Sequence, residues 1–123
     1  MEQLNSITEK IIGCAIEVHK NLGPGLLESI YEKAICCEFD LRGIKYESQV
    51  MIPIIYKGKQ LGEHRLDLLV ENEIIVELKA VERHEPVFEA QLLSYLKLTE
   101  KHLGLLVNFN VPVLKSGIKR IIL

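Results

Sequence analysis

The chain has 123 residues, of which 48% are hydrophobic and 26% are charged, and its formal net charge is −2. This length and composition predict one soluble globular domain over residues 1–123 with its own hydrophobic core. They argue against a general polyanion-binding protein, and no apolar run approaches the roughly 20 residues of a membrane span.

The cysteines and histidines point to a reduced protein without zinc. The three cysteines are odd in number and lack metal-ligand spacing, and the four histidines are scattered. No secretory signal is recognisable at the start of the chain. We therefore expect a cytoplasmic protein with small buried thiols, at Cys14, Cys36 and Cys37.

Two helices are predicted at the start of the chain. Ser6 and Glu9 form a capping-box signature, and apolar residues then recur at helical spacing as far as Gly23. A second helical pattern ends at Gly43. Its apolar stripe consists of Leu27, Ile30, Tyr31, Ala34, Cys37 and Leu41.

Strands and a third helix follow. Three strands are predicted at about 49–56, 62–70 and 74–80, and two more at 104–108 and 118–122. The third helix begins at Pro86, which suits the first helical position, and runs to about Lys101. Because this helix links the third and fourth strands, these strands are expected to pair in parallel. The order α-α-β-β-β-α-β-β indicates an α/β sandwich.

The segment 65–79 alternates on either side of Glu71-Asn72-Glu73 and predicts a β-hairpin. A three-residue loop makes one face of this hairpin wholly apolar, from Leu66, Leu68, Val70, Ile74, Val76 and Leu78. A two-residue loop would place Glu73 and Glu77 among the residues of that face. Burial therefore favours the three-residue loop, because a slip of one residue exchanges the two faces.

The other face of the hairpin is charged. In the three-residue register Asp67 lies directly across from Glu77, with Cβ atoms roughly 5 Å apart, and Lys79 lies further along the same face. Two carboxylates this close repel each other unless a cation lies between them, and a divalent metal that prefers oxygen ligands would serve. Ordinary ion pairs are an equally good explanation from the sequence alone.

Residues on other elements could reach this charged face. Glu28 lies in the first turn of the second helix, where a carboxylate is also favourable for the helix itself. Gln91 and Tyr95 share one face of the third helix, although surface positions would explain them as well. Residues 101–123 have no acid and could form a small phosphate-binding patch, from Lys101, Lys115, Lys119 and Arg120.

Four motifs in this order resemble the GxxExxY proteins, a branch of the PD-(D/E)XK nuclease superfamily. Gly25-Leu-Leu-Glu28-Ser-Ile-Tyr31 is similar to the motif that names the branch. Asp67 with Glu77-Leu-Lys79 resembles the D…ExK core of the superfamily, and residues 91–95 resemble a Q-x-x-x-Y helix. Residues 108–120 resemble the end of the family. The resemblance covers about residues 5–122, and Phe88 departs from it, since many relatives are expected to have histidine there.

The resemblance implies a restriction-endonuclease-like sandwich, with a central mixed sheet of about four to five strands flanked by helices. It implies that Lys79 orients or activates the attacking water, and that Gln91 and Tyr95 position this water or the phosphate. It also implies that Mg²⁺ or Mn²⁺ is bound by Asp67, Glu77, Glu28 and the backbone carbonyl of Leu78.

The implied function is a metal-dependent nuclease that hydrolyses phosphodiester bonds, with DNA as the expected substrate. No helix-turn-helix or zinc finger is recognisable, so the enzyme would act on DNA structure, ends or single strands, or would need a targeting partner protein. A homodimer would allow both strands to be cut. Two alternatives stay open: a silent nucleic-acid- or protein-binding module with the nuclease fold, and a structural domain whose acids pair with Arg65, Arg83 and Lys79.

Overall fold

The computed structural model describes residues 1–123 and contains three long helices and five strands. Two helices precede three strands, and a third helix leads to the last two strands, in the predicted order. A short 3₁₀ helix at Leu114–Gly117 precedes the last strand. The elements are α1 (Glu2–Leu22), α2 (Glu28–Arg42), β1 (Tyr46–Tyr56), β2 (Lys59–Val70), β3 (Ile74–Lys79), α3 (Pro86–Thr99), β4 (Leu103–Asn108) and β5 (Ile118–Ile122).

The strands form one mixed sheet in the order β1-β2-β3-β4-β5. β3 and β4 are parallel, and every other neighbouring pair is antiparallel. The parallel pair is joined through α3, which is the crossover that the strand–helix–strand order predicts. The α/β sandwich with a mixed five-stranded sheet is thereby confirmed.

Helices cover both faces of the sheet. α1 and α2 cover one face, over a cluster of 19 buried residues that includes Tyr31 and Leu68. α3 covers the other face over a cluster of 8 buried residues that includes Leu92. A Cβ on Gly104 would come within 2.8 Å of Leu92 Cδ1. Gly104 therefore lets Leu92 of α3 pack directly against β4.

Two predictions about the helices were wrong. α1 begins at Glu2, so Ser6 lies inside the helix and does not cap it. Of the predicted stripe, Leu27, which immediately precedes α2, is 73% exposed, and Leu41 of α2 is 75% exposed. Apolar residues lie on more than one side of α2, and contact with the sheet decides which side is buried. The buried residues of α2 are Tyr31, Ile35 and Phe39.

The expectation of three buried thiols was also only partly correct. Cys14 is buried, Cys36 is partly buried and Cys37 is exposed, and none forms a disulfide. Cys36 and Cys37 lie on successive positions of α2, and two neighbouring positions of a helix cannot both point into the core.

The β2–β3 hairpin has the predicted three-residue loop. Val70 pairs with Ile74, and the ladder continues to the pair Leu68 and Val76. All four side chains are buried in the cluster beneath α1 and α2. The register that burial favoured is therefore confirmed.

The prediction for Leu66 was wrong, because this residue lies on the opposite face from Leu68, in the cluster beneath α3. The alternation of β2 is broken between them. Gln49 of β1, which would face Asp67, is missing from the β1–β2 pairs and has a φ of 55°. This local irregularity reverses the side-chain direction of β2. It lies next to one of the predicted site residues.

Candidate active site at the open end of the β2–β3 hairpin

The β2–β3 ladder ends at Leu68 and Val76, and at the next position side chains replace the backbone partners. The backbone N–H of Asp67 donates to Glu77 Oε2 at 2.8 Å, and the N–H of Leu78 donates to Asp67 Oδ2 at 2.8 Å. The two carboxylates therefore bridge β2 and β3 where regular pairing stops. The structure brings Asp67 and Glu77 together, as the register predicts.

Both carboxylates are partly withdrawn from water. Glu77 is only 7% exposed. Loss of hydration, reinforced by the negative charge of Asp67, raises the pKa of Glu77 to about 8. Loss of hydration also raises the pKa of Asp67, although the hydrogen bond from the Leu78 N–H opposes this effect. The pair therefore holds negative charge at a substantial electrostatic cost.

No basic side chain forms an ion pair with either carboxylate. The ion pairs of the structure are Arg42–Glu38 and His84–Glu89. The alternative in which the acids pair with Arg65, Arg83 and Lys79 was therefore wrong. A structural domain would neutralise buried acids in this way, because an uncompensated buried charge is strongly destabilising.

Each carboxylate keeps one oxygen without a protein hydrogen bond. Glu77 uses Oε2 and Asp67 uses Oδ2, and no buried side-chain oxygen in the structure lacks a partner. Glu77 Oε1 and Asp67 Oδ1 therefore face solvent. Such oxygens are the hard donors that Mg²⁺ and Mn²⁺ prefer.

No three His, Cys, Asp or Glu side chains lie close enough together to hold a metal by themselves. The donor chemistry still fits a divalent cation, since Mg²⁺ is commonly bound by one or two carboxylates and retains several waters.

The loop before α2 is held by Tyr31. Its hydroxyl donates to the carbonyl of Gly23 at 2.5 Å and accepts from the N–H of Leu26 at 3.1 Å. Its ring stacks on Phe109 with centroids 4.4 Å apart. Gly25 has a φ of 97°, which favours glycine over any other residue. These contacts explain the spacing of glycine and tyrosine around the start of α2.

The same loop places Glu28 at the first position of α2, near the carboxylate pair. Loss of hydration and then the charge of Asp67 raise the pKa of Glu28, while the charge of Lys79 lowers it. Sequence reasoning missed Glu32, one turn further along. Its pKa is raised by loss of hydration and by Asp67, and lowered by a hydrogen bond from Gln49 at 2.7 Å. The spacing i, i+4 from Glu28 was the available signal.

Lys79 lies beside the acids but contacts an aromatic ring. Its Nζ lies over Phe88, 4.6 Å from the ring centroid, in a cation–π contact. Its charge lowers the pKa values of Asp67 and Glu77. Phe88, the residue that departs from the family pattern, therefore holds the lysine and contributes no titratable group.

The two site residues predicted on α3, Tyr95 and Gln91, differ in burial and in their distance from the acids. Tyr95 is 8% exposed, and loss of hydration together with the charges of Glu77 and Asp67 raises its pKa. Gln91 is exposed and has no hydrogen bond to the acids. Both residues line a groove of about 440 Å³ between α3 and the β1–β2 hairpin. The structure thus brings Tyr95 close to the acids, whereas Gln91 contacts neither of them and lies in the neighbouring groove.

This mixed sheet, with one buried and one partly buried carboxylate and a lysine at the open end of a hairpin, defines a nuclease-like α/β protein. The model of the PD-(D/E)XK nuclease superfamily matches residues 5–121. The chain belongs to this superfamily.

A solved structure of a protein named SSO0001 is similar in fold, with a TM-score of 0.52 and 22% sequence identity. The match covers 76% of this chain and 48% of that chain, so the present chain spans about half of its length. No curated protein matches the sequence. No helix of the structure has the length and apolar character needed to cross a membrane.

Proposed function

We propose that the protein is a divalent-metal-dependent nuclease of the GxxExxY branch, which hydrolyses phosphodiester bonds of DNA. The main support is the pair Asp67 and Glu77, neither of which forms an ion pair with a basic side chain and each of which has one oxygen open to solvent. Membership of the superfamily supports nucleic acid as the substrate. The three free cysteines suit a cytoplasmic location.

Mg²⁺ or Mn²⁺ would be held by Asp67, Glu77 and the backbone carbonyl of Leu78, with Glu28 contributing through water. A bound metal of this kind lowers the pKa of its water and withdraws charge from a phosphoryl oxygen. Glu77 has to be ionised to act as a ligand. Because its pKa is about 8, metal binding at neutral pH would release a proton.

Lys79 supplies the positive charge of the protein itself. Its ammonium is a compact point charge that suits phosphate oxygens, and it would stabilise the charge that develops on the scissile phosphate. The contact with Phe88 holds this ammonium near the carboxylates without an ion pair. Tyr95 and Gln91 would position the attacking water or the phosphate from the α3 side.

The enzyme would recognise the structure of its DNA substrate rather than the base sequence. No helix-turn-helix is recognisable in the sequence, and the chain has few elements beyond those that build the site. The enzyme would act on ends, branches or single strands, or would be directed by a partner protein. A homodimer would bring two such sites to opposite strands.

The test is cleavage of single-stranded, double-stranded and branched DNA, and of RNA, with Mg²⁺ or Mn²⁺. We expect cleavage that a chelator abolishes. Glu77→Gln and Lys79→Gln should each lower it by about 10³-fold, which corresponds to about 4 kcal/mol of transition-state stabilisation. Glu63→Gln, at an exposed acid of the same strand as Asp67, is the matched control and should leave the rate unchanged.

Two results would contradict the proposal. Cleavage that persists in Glu77→Gln would point to a contaminating nuclease. Binding of metal and DNA without any turnover would instead support the alternative function, a silent binding module that keeps the nuclease fold.

A further inference from the structure

A cleft of about 140 Å³ opens next to Lys79, towards the β5 edge of the sheet. Residues from β3, β4, β5, α3 and the loops beside them line it, and its apolar part is formed by Val81, Phe88, Leu106 and Val111. It therefore adjoins the candidate active site on the side opposite the β1–β2 hairpin. Lys119 of β5 lines the same cleft.

The register of the sheet places Lys119 on the same face as Glu77. Glu77 pairs with Leu106, and Leu106 pairs with Lys119, so the three residues form one row across β3, β4 and β5. Paired residues of neighbouring strands point to the same face, and Leu106 is buried against α3. Two strand spacings, about 10 Å, separate Lys119 from Glu77. This distance lies within the reach of one nucleic-acid strand crossing the site.

The walls of the cleft are held by hydrogen bonds and close packing. Asn108 Nδ2 donates to the carbonyl of Val81 at 2.9 Å, and the N–H of Val81 donates to Asn108 Oδ1 at 3.1 Å. A Cβ on Gly117 would come within 2.2 Å of the Asn108 carbonyl oxygen, so only glycine allows the 3₁₀ helix to approach β4 this closely. The cleft is therefore built before any ligand binds.

The charges in the cleft suit an anion. Lys79 and Lys119 contribute two ammonium groups, neither of which forms an ion pair. His84 also lines the cleft, but it pairs with Glu89, which lies outside the lining. Glu82 is the acid of the lining, and it is exposed. Among the residues of the lining, the unpaired charge is therefore positive, and the acids Asp67 and Glu77 lie outside it.

Resting on the proposed nuclease function, we propose that this cleft binds a phosphate of the substrate strand beside the scissile phosphate, and that Lys119 contacts it. Of the basic patch predicted in residues 101–123, only Lys119 lines the cleft. Arg120 follows Lys119 and points to the opposite face, where its guanidinium donates to Asn5 of α1. Lys101 and Lys115 do not line the cleft.

The experiment measures binding of fluorescent single- and double-stranded DNA by anisotropy, in a chelator, between about 50 and 200 mM salt. We expect Lys119→Ala to weaken binding by about 3- to 10-fold and to lower the slope of log K against log salt by about one. Lys119→Arg should retain the wild-type affinity and slope. Lys115→Ala, at an exposed lysine outside the cleft, is the matched control and should leave both unchanged.

Cleavage gives a second measurement in the presence of Mg²⁺ or Mn²⁺. Lys119→Ala should raise KM and leave kcat close to the wild-type value, because Lys119 would bind a phosphate that does not react. A fall in kcat with unchanged KM would contradict the assignment. Thermal unfolding of each variant checks the fold, and Lys119→Gln, which removes the charge but keeps most of the side chain, gives the same test if the alanine variant is unstable.

Failure of this inference differs from failure of the proposed function. Equal affinities and salt slopes for Lys119→Ala and Lys115→Ala would overturn the phosphate contact, while metal-dependent cleavage would still support the nuclease. A wild-type protein that binds no nucleic acid at any salt concentration would overturn both.

Discussion

The two ends of the β2–β3 hairpin are built from the same two strands and behave differently. The closed end (Leu68–Val70 with Ile74–Val76) has regular backbone pairing and buried apolar side chains. The open end (Asp67 with residues 77–79) has carboxylates in place of backbone partners. Apolar burial and backbone hydrogen bonds stabilise the closed end, whereas the open end holds two neighbouring acids without an ion-pair partner.

The comparison shows that the regular pairing at the closed end of the hairpin holds the acids of the open end in place. A buried acid with its pKa raised to about 8 destabilises the folded chain when it is ionised. The neighbouring three pairs of the ladder hold the strands in register and keep Asp67 and Glu77 together in spite of their repulsion. Four substitutions test this division between the two ends, from the largest expected effect to the smallest.

Leu68→Ala should weaken the closed end most. Leu68 is fully buried beneath α1 and α2, and its truncation leaves a cavity, so the free energy of unfolding should fall by about 2–5 kcal/mol. Urea denaturation measures this change. Leu61→Ala on the same strand, at a side chain that is 63% exposed, should change stability by less than about 0.5 kcal/mol. Similar losses in both variants would contradict the assignment of Leu68 to the core.

Glu77→Gln should act in the opposite direction at the open end. A folded-state pKa of about 8, against an ordinary value of 4.5, means that the folded chain binds a proton that the unfolded chain releases between these pH values. The contribution of Glu77 to stability is therefore complete below about pH 4.5 and is lost as the pH rises through 8.

Without metal, the wild-type free energy of unfolding should fall by a few kcal/mol between about pH 5 and 8.5. Glu77→Gln should remove much of this slope and should be more stable than the wild type at pH 8.5. Denaturant unfolding at several pH values measures the effect, with Glu63→Gln as the control that keeps the wild-type slope. A Glu77→Gln variant that is less stable at pH 8.5 would contradict the raised pKa.

Tyr31→Phe tests how the loop before α2 presents Glu28 to the open end. The variant keeps the stacked ring but leaves the Gly23 carbonyl and the Leu26 N–H without their partner. The free energy of unfolding should fall by about 1–3 kcal/mol. Tyr56→Phe, at a tyrosine that is 59% exposed, should be neutral. Equal thermal stability of the two variants would show that the Tyr31 hydroxyl does not hold this loop.

Phe88→Leu should have the smallest effect, because it removes one cation–π contact from Lys79. Such a contact is worth about 0.5–1 kcal/mol at partly exposed positions. Single-turnover cleavage should therefore slow by about 2- to 5-fold. Val87→Ala, at the neighbouring exposed position, should retain the wild-type rate. A rate unchanged in Phe88→Leu would show that Lys79 needs no aromatic support.

The sequence alone was sufficient for the order of elements, for the parallel pairing of β3 with β4 and for the register of the hairpin. In each case a local rule applies, since alternation, helical spacing and crossover connections are read from short segments. The same reasoning was wrong for Leu66, because the irregularity at Gln49 depends on pairing between β1 and β2. It was also wrong for the buried side of α2, which only the sheet selects.

Some features of the candidate site were also predictable from the sequence, and others were not. That Asp67 and Glu77 meet followed from the sequence, because neighbouring strands with a known loop length bring defined residues together. Tertiary structure alone decided that no basic residue neutralises them, that Phe88 holds Lys79, and that Lys119 lies in the row of Glu77 while Arg120 does not. These contacts join different elements of the fold, and no local periodicity encodes which side chains of separate elements will face each other.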